Sequence, residues 1–236
     1  MPRPFHTARL LLQQWLRRRA RTHPKLRQRT IDRFHHLYYD EGRFAGGTWA
    51  QTYWLGTPVL KCPLDLWVYQ EILFQQRPDL ILETGTSSGG SAAFLACICD
   101  LVQHGQIVSI DIDNRPNRPQ HPRVRYLTGS SIAPAMHEEI ARLVAGQARV
   151  MVLLDSDHSR DHVLQELRLF SRYVTPGQYL VAEDTNIHGH PVGLEFAPGP
   201  TEAVDLFLKE TRDFVIDPAP EKFYLTFNPR GYLKRV

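Results

Sequence analysis

Two stretches of this 236-residue chain place acids where an apolar run stops. Residues 150–154 (Val-Met-Val-Leu-Leu) lead into Asp155, Ser156, Asp157 and His158, and residues 179–182 (Tyr-Leu-Val-Ala) into Glu183, Asp184, Thr185 and Asn186. Runs of this kind read as buried strands, and in an open α/β sheet ligands collect beyond the carboxyl ends of the strands. A helix between the two runs makes them neighbours, so three carboxylates can converge there. Hard oxygen donors in that number suit Mg²⁺, and a mixed Asp/Glu/His set also accommodates Mn²⁺, Fe²⁺ or Zn²⁺. The competing reading, in which each acid merely caps the next helix, explains one such acid more readily than two clusters on one sheet.

A second feature lies upstream. Residues 80–91 read Leu-Ile-Leu-Glu-Thr-Gly-Thr-Ser-Ser-Gly-Gly-Ser, a strand, a glycine-rich turn and a helix start. A phosphate cradle would want a Walker lysine or GxGxxG spacing, and neither is present. Glu83 at the strand end would repel a pyrophosphate but could hold a cationic amino-acid group, as in S-adenosylmethionine. Gly85, Thr86, Ser87, Gly89 and Ser91 then form the cradle, with a purely structural glycine turn as the alternative. The next run, 107–110, ends in Asp111, where the ribose hydroxyls of a nucleoside are held; Asp113 reads as a solvated or helix-capping acid. Residues 126–131 close a further strand on small polar groups, Ser131 among them, which suit an adenine edge or a plain turn. Asp155 is expected to touch the donor as well as the cation.

The elements that must position these groups follow from the pattern. Apolar runs at 80–82, 107–110, 150–154 and 179–182 alternate with helical spacing at 92–102, 132–144, 162–173 and 202–211. That alternation predicts a parallel sheet covered by helices on both faces. Residues 214–216 and 223–227 read as two more strands, antiparallel at the sheet edge. Residues 1–40 have helical spacing, with Pro24 dividing two helices. Residues 42–63, rich in Gly, Thr and aromatics, suit either a covering loop or a plain packed surface loop, and 188–200 is a second candidate cover, in which His188 and His190 read as exposed loop residues.

Composition limits the classes. The chain carries 28 Lys plus Arg against 25 Asp plus Glu, an excess too small for a nucleic-acid-binding surface. Its one basic stretch, Arg17, Arg18, Arg19, Arg21, Lys25, Arg27 and Arg29, reads as a solvated helix face in preference to a contact with an acidic partner or membrane surface. Cys62, Cys97 and Cys99 form neither a disulfide framework nor a zinc site, which fits a reduced cytoplasmic setting. No apolar stretch approaches the roughly 18 residues of a membrane span.

Together, Tyr53-Trp54-Leu55-Gly56, Lys61-Cys62-Pro63, residues 83–91, residues 154–158 and Glu183-Asp184-Thr185 carry a resemblance. Over about residues 34–236 the chain resembles the cephalosporin hydroxylase-like and rhamnosyl O-methyltransferase proteins. The resemblance implies a Rossmann-like class I methyltransferase at 64–236: a mainly parallel seven-stranded sheet with an antiparallel edge strand, preceded at 1–63 by a helical extension and cap loop. It implies S-adenosylmethionine as donor, Mg²⁺ held by Asp155, Glu183 and Asp184, and a sugar or other natural-product hydroxyl as acceptor. The interval from Asp155 to the acidic pair is also similar to that in animal catechol O-methyltransferases, where a lysine three positions after the first Asp is the general base. Here that position is His158, whose neutral imidazole can accept a proton. Two alternatives stand beside this reading. A metal-dependent hydroxylase would want two histidines with one carboxylate, which the acidic excess opposes; a non-catalytic accessory subunit would make the carboxylates dispensable. The apolar surface of the helical extension suggests a homo-oligomer.

Overall fold

The computed structural model describes residues 11–15, 23–40, 48–193 and 198–236. Most of the basic run (Arg17, Arg18, Arg19 and Arg21), part of the expected covering loop (42–47) and residues 194–197 of the second cover lie outside the described residues.

Residues 11–15 are helical, and α1 (Pro24–His35) opens on the expected proline, whose fixed φ and missing N–H suit a first helical turn. A wider turn, His36–Asp40, follows. In the covering segment a two-stranded hairpin, β1 (Tyr53–Trp54) and β2 (Thr57–Pro58), reverses through Leu55 and Gly56, both at positive φ. Next comes α2 (Pro63–Gln76), which the sequence pattern did not announce. It buries Val68, Tyr69, Ile72 and Leu73 yet exposes Trp67 and Phe74, so its apolar residues form no single stripe.

From there the expected alternation runs β3 (Leu80–Thr84), α3 (Gly90–Leu101), β4 (Gln106–Asp111), β5 (Val124–Thr128), α4 (Pro134–Val144), β6 (Val150–Leu154), α5 (Arg160–Phe170), β7 (Tyr179–Ala182) and α6 (Pro200–Glu210). β8 (Phe214–Ile216) and β9 (Tyr232–Arg235) complete one sheet in the order β5-β4-β3-β6-β7-β9-β8. β3, β6 and β7 are buried along their whole length, which is why they read as unbroken apolar runs. One core layer packs Ile140, Leu167, Phe170, Val204 and Phe207 against one face; the other packs Tyr69, Leu73, Leu95 and Ala96 against the opposite face.

Two expectations about the edge need correcting. The antiparallel strand is β9, which lies between β7 and β8 rather than at the edge; β8 pairs antiparallel with β9 and so runs parallel to the rest. Residues 223–227 are not a strand. Tyr224 turns the chain at φ 68°, the Phe227 N–H donates to buried Asp65 Oδ2 at 2.8 Å, and Leu225 and Phe227 pack with Tyr38, Tyr39 and Trp49. Their apolar side chains serve the covering segment, not the sheet.

Phe170 is fully buried among α4, α5 and β6 residues. Phe170→Ala is expected to lower the unfolding free energy by about 3–5 kcal/mol in urea titrations, the usual cost of emptying a phenylalanine site.

Candidate active site

The parallel register sets the strand ends level. Thr84 pairs with Ile110 on one side and Leu154 on the other, and Leu154 pairs with Ala182. Gly85, Asp155 and Glu183 therefore leave the sheet side by side. Gly85 has φ +83°, and a Cβ there would lie 1.7 Å from the Asp155 carbonyl oxygen. Only glycine fits. Over this row opens a cavity of about 610 Å³, lined by Gly85, Thr86, Ser87, Ser91, Asp111, Ser131, Asp155, His158 and Asp184 among others.

On the β3–β4 side the turn is held by polar contacts. Thr86 Oγ1 lies 2.7 Å from Ser109 Oγ, and the Ser109 hydroxyl donates to Glu83 Oε2 at 2.7 Å. Glu83 itself is fully buried beneath the cavity and does not line it; its Oε1 has no hydrogen-bond partner. Burial pushes the Glu83 carboxyl up, against the pull of Lys61. The Ser87 N–H donates to Asp111 Oδ2 at 2.7 Å. Arg118, also buried, pairs with Asp111 at 3.1 Å and donates from Nε to the Ser87 carbonyl at 3.0 Å. Arg118 therefore clamps the turn to the acid. No motif marks it in the proline-rich loop after β4. Gly89, at φ +81°, caps α3 rather than lining the cavity. Ser131 Oγ is 3.3 Å from His162 Nε2, which also lies 3.1 Å from Ser156 Oγ.

On the β6–β7 side the acids divide between two cationic side chains. Lys61, 3% exposed, lies 2.5 Å from both Asp155 Oδ2 and Glu183 Oε2. Burial would lower its pKa, but these carboxylates outweigh burial and hold the ammonium above the ordinary lysine range. Glu183 is buried and absent from the cavity lining, and its Oε1 has no partner. Burial pushes the Glu183 carboxyl well up, with Lys61 opposing. Asp184 faces the other way. Its backbone is left-handed, φ 54°, and its N–H donates to Asn228 Oδ1 at 3.1 Å. His158 Nε2 lies 3.4 Å from Asp184 Oδ2, and donor atoms of Asp155, His158 and Asp184 all fall within 4.8 Å of one another. Burial raises Asp184 to about 6, with His158 opposing. The structure thus places Asp155 and Asp184 together with His158, and turns Glu183 toward Lys61. Asp157 closes a short turn ahead of α5: its Oδ1 accepts the Ser159 N–H at 2.7 Å.

Lys61 lies in a segment that carries the family resemblance, but sequence pattern alone assigns it no role. The available signal was a lysine set among Val59, Leu60, Cys62, Pro63 and Leu64, since a lysine is almost never fully buried unless paired.

The wall opposite is aromatic. Tyr39 stacks on Trp49 with ring centroids 5.4 Å apart and meets Phe227 edge-on at 5.3 Å, and all three line the cavity. Trp49 Nε1 is buried without a partner. Pro58, Val59 and Leu60, from the covering segment, line it too. His188 and His190 do not; His190 Nε2 pairs with Glu202 at 2.7 Å.

A seven-stranded sheet in this order, with one antiparallel strand and its cavity over the central strand ends, defines the class I S-adenosylmethionine-dependent methyltransferase fold. The solved structure of CmcI with Mg and SAM superposes with a TM-score of 0.63 at 22% identity, covering 79% of this chain and 77% of that one. A family model described as Rhamnosyl O-methyltransferase/CmcI matches residues 47–236. The rhamnosyl O-methyltransferase of Mycobacterium leprae (strain TN) is 39% identical over 210 residues, 86% of this chain and 90% of its own. That of Mycobacterium bovis (strain BCG / Pasteur 1173P2) is 37% identical over 211 residues, covering 86% and 84%. The chain belongs to the rhamnosyl O-methyltransferase/CmcI family and is an S-adenosylmethionine-dependent O-methyltransferase. Among the described residues no helix is long and apolar enough to cross a membrane.

Gly85→Ala would force a side chain into the Asp155 backbone at a φ that disfavours it. We expect a loss of at least ~3 kcal/mol in thermal or urea unfolding, or no folded product.

Proposed function

We propose that this protein transfers the methyl group of S-adenosylmethionine to a hydroxyl of a sugar, assisted by a divalent cation, with Mg²⁺ the first choice. The observation that carries the reading is a single cavity in which the turn at Gly85–Ser91 faces the clustered donor atoms of Asp155, His158 and Asp184.

The residues fit both groups. A cavity of about 610 Å³ lies within the range of small-molecule sites, roughly 300–1,000 Å³. Gly85, Thr86, Ser87 and Ser91 line the cradle, Gly89 sets the start of the helix behind it, and the buried Glu83 carboxyl lies beneath, where its charge would favour the donor's ammonium. Asp111 would hold the ribose and Ser131 the adenine edge. For the cation, Asp155, Asp184 and Glu183 are the carboxylates of the set. Burial, reinforced by the neighbouring acids, raises the Asp184 and Glu183 carboxyls, and Glu183 Oε1 is buried without a partner, so a cation would relieve groups that Lys61 and His158 only partly stabilise. Those are the properties of a cation site.

S-adenosylmethionine supplies an electrophilic methyl, and a divalent cation supplies Lewis acidity toward the acceptor hydroxyl. The chain does the rest by placement. His158 Nε2, held 3.4 Å from Asp184 Oδ2, takes the hydroxyl proton, and Asp184 stabilises the imidazolium that results. Pro58, Val59 and Leu60 shield the transfer from water. The aromatic wall of Tyr39, Trp49 and Phe227 gives the apolar C–H face of a sugar a surface to stack on, and the Trp49 N–H offers a donor for one of its hydroxyls. The names of the mycobacterial relatives point to rhamnose as the first acceptor to try. Free Cys62, Cys97 and Cys99 suit a reducing cytoplasm. Exposed Leu26, Phe34 and Tyr224 offer apolar surface to a second copy.

The test is calorimetry with S-adenosylmethionine alongside radiolabelled methyl transfer to rhamnosyl glycosides. Asp155→Ala should retain donor binding within about tenfold and lose at least ~100-fold in turnover, and His158→Gln should lose about 10²–10⁴-fold. Undiminished methyl transfer by Asp155→Ala in the presence of a chelator would refute the cation's part.

A further inference from the structure

Lys61 is buried, and its Nζ reaches Asp155 Oδ2 and Glu183 Oε2 at the same distance, 2.5 Å. Each carboxylate gives it one oxygen. The other Glu183 oxygen, Oε1, is buried with no partner, and Asp155 still lines the cavity. When ionised, the three acids proposed for the cation, Asp155, Glu183 and Asp184, carry three negative charges and Lys61 returns one positive, so these four side chains present the charge that one divalent cation balances; Glu83, which also acts on Lys61, is held by Ser109 beneath the turn. His158, the other basic side chain of the cluster, faces Asp184 rather than this pair.

We propose that Lys61 is a positioning residue that sets the charge of the cation site, a role that rests on the cation reading above. It holds Asp155 and Glu183 by one oxygen apiece and brings the carboxylate group into balance with a divalent ion. A cation bound by a balanced group keeps its pull on the acceptor oxygen. A cation facing one more negative charge is held harder and polarises less. The lysine enters from the covering segment, directly after Pro58, Val59 and Leu60, so the lid over the cavity also delivers the charge beneath it.

This makes a signature that damaged folding cannot imitate, because cation affinity and turnover should move in opposite directions. Mn²⁺ is titrated calorimetrically into the full chain as wild type, Lys61→Met, Glu183→Gln and the double variant, with kcat measured for each. Lys61→Met should bind Mn²⁺ about tenfold tighter or more while kcat falls. Glu183→Gln, which leaves Lys61 in excess, should weaken Mn²⁺ by about tenfold or more, and adding Lys61→Met should restore the lost affinity. If Lys61→Met alone does not fold, the comparison of Glu183→Gln with the double variant decides. Equal Mn²⁺ affinity in those two proteins overturns the role of Lys61 while leaving the cation reading intact. A wild type that binds no Mn²⁺ overturns the cation reading itself, and the role of Lys61 with it.

Discussion

The pairing of β3 with β6 and of β6 with β7 puts three chain exits in one row, and the chemistry of the cavity hangs on that alignment. Side chains alternate along a strand, so a slip of one residue in β7 would exchange Glu183 for Asp184 and turn each to the opposite side. As it stands, Glu183 continues inward to Lys61. Asp184, rotated by its left-handed backbone, turns out to the cavity. Two adjacent acids thereby serve different environments. The same row explains Gly85, whose Cα sits against the Asp155 carbonyl where no side chain could be placed.

Such an arrangement is costly to hold. Burying Lys61 with two carboxylates carries a desolvation penalty of several kcal/mol per ion, which mutual attraction offsets only when the geometry is tight. A second buried network supplies rigidity next to it. Asn228, which fixes the Asp184 N–H, donates from its amide to the Tyr69 hydroxyl at 3.0 Å, and the Tyr232 hydroxyl donates to Asp65 Oδ1 at 3.0 Å. Asp65 in turn takes the Phe227 N–H. The residues that orient an acid and those that place an aromatic ring in the cavity wall are therefore tied together, and neither can shift alone.

Sequence pattern was a good guide where burial was simple. Residues 150–154 and 179–182 are strands with the expected limits because both of their faces are apolar. It failed at α2, whose apolar residues spread around the helix, and at 223–227, where the apolar residues answer to Tyr39 and Trp49 instead of to a neighbouring strand. At the cavity, periodicity and strand ends located the acids of β6 and β7. What they could not supply was contact across long sequence separations. Lys61 meets acids about a hundred positions away, and Arg118 grips a turn on another strand. Glu83 was visible as an acid at a strand end, but its depth depends on how α3 and β4 close over it.

The covering segment, finally, is joined to the sheet by more than packing. A cap that touches its ligand only through Trp49, Pro58, Val59 and Leu60 could be exchanged freely to suit a new acceptor. This one also carries Lys61, whose ammonium pairs with Asp155 and Glu183 just beyond β6 and β7. A graft that replaced it without a lysine at the same depth would leave Asp155 and Glu183 without that partner, so cap and sheet are coupled by charge at position 61 and cannot be exchanged as independent parts.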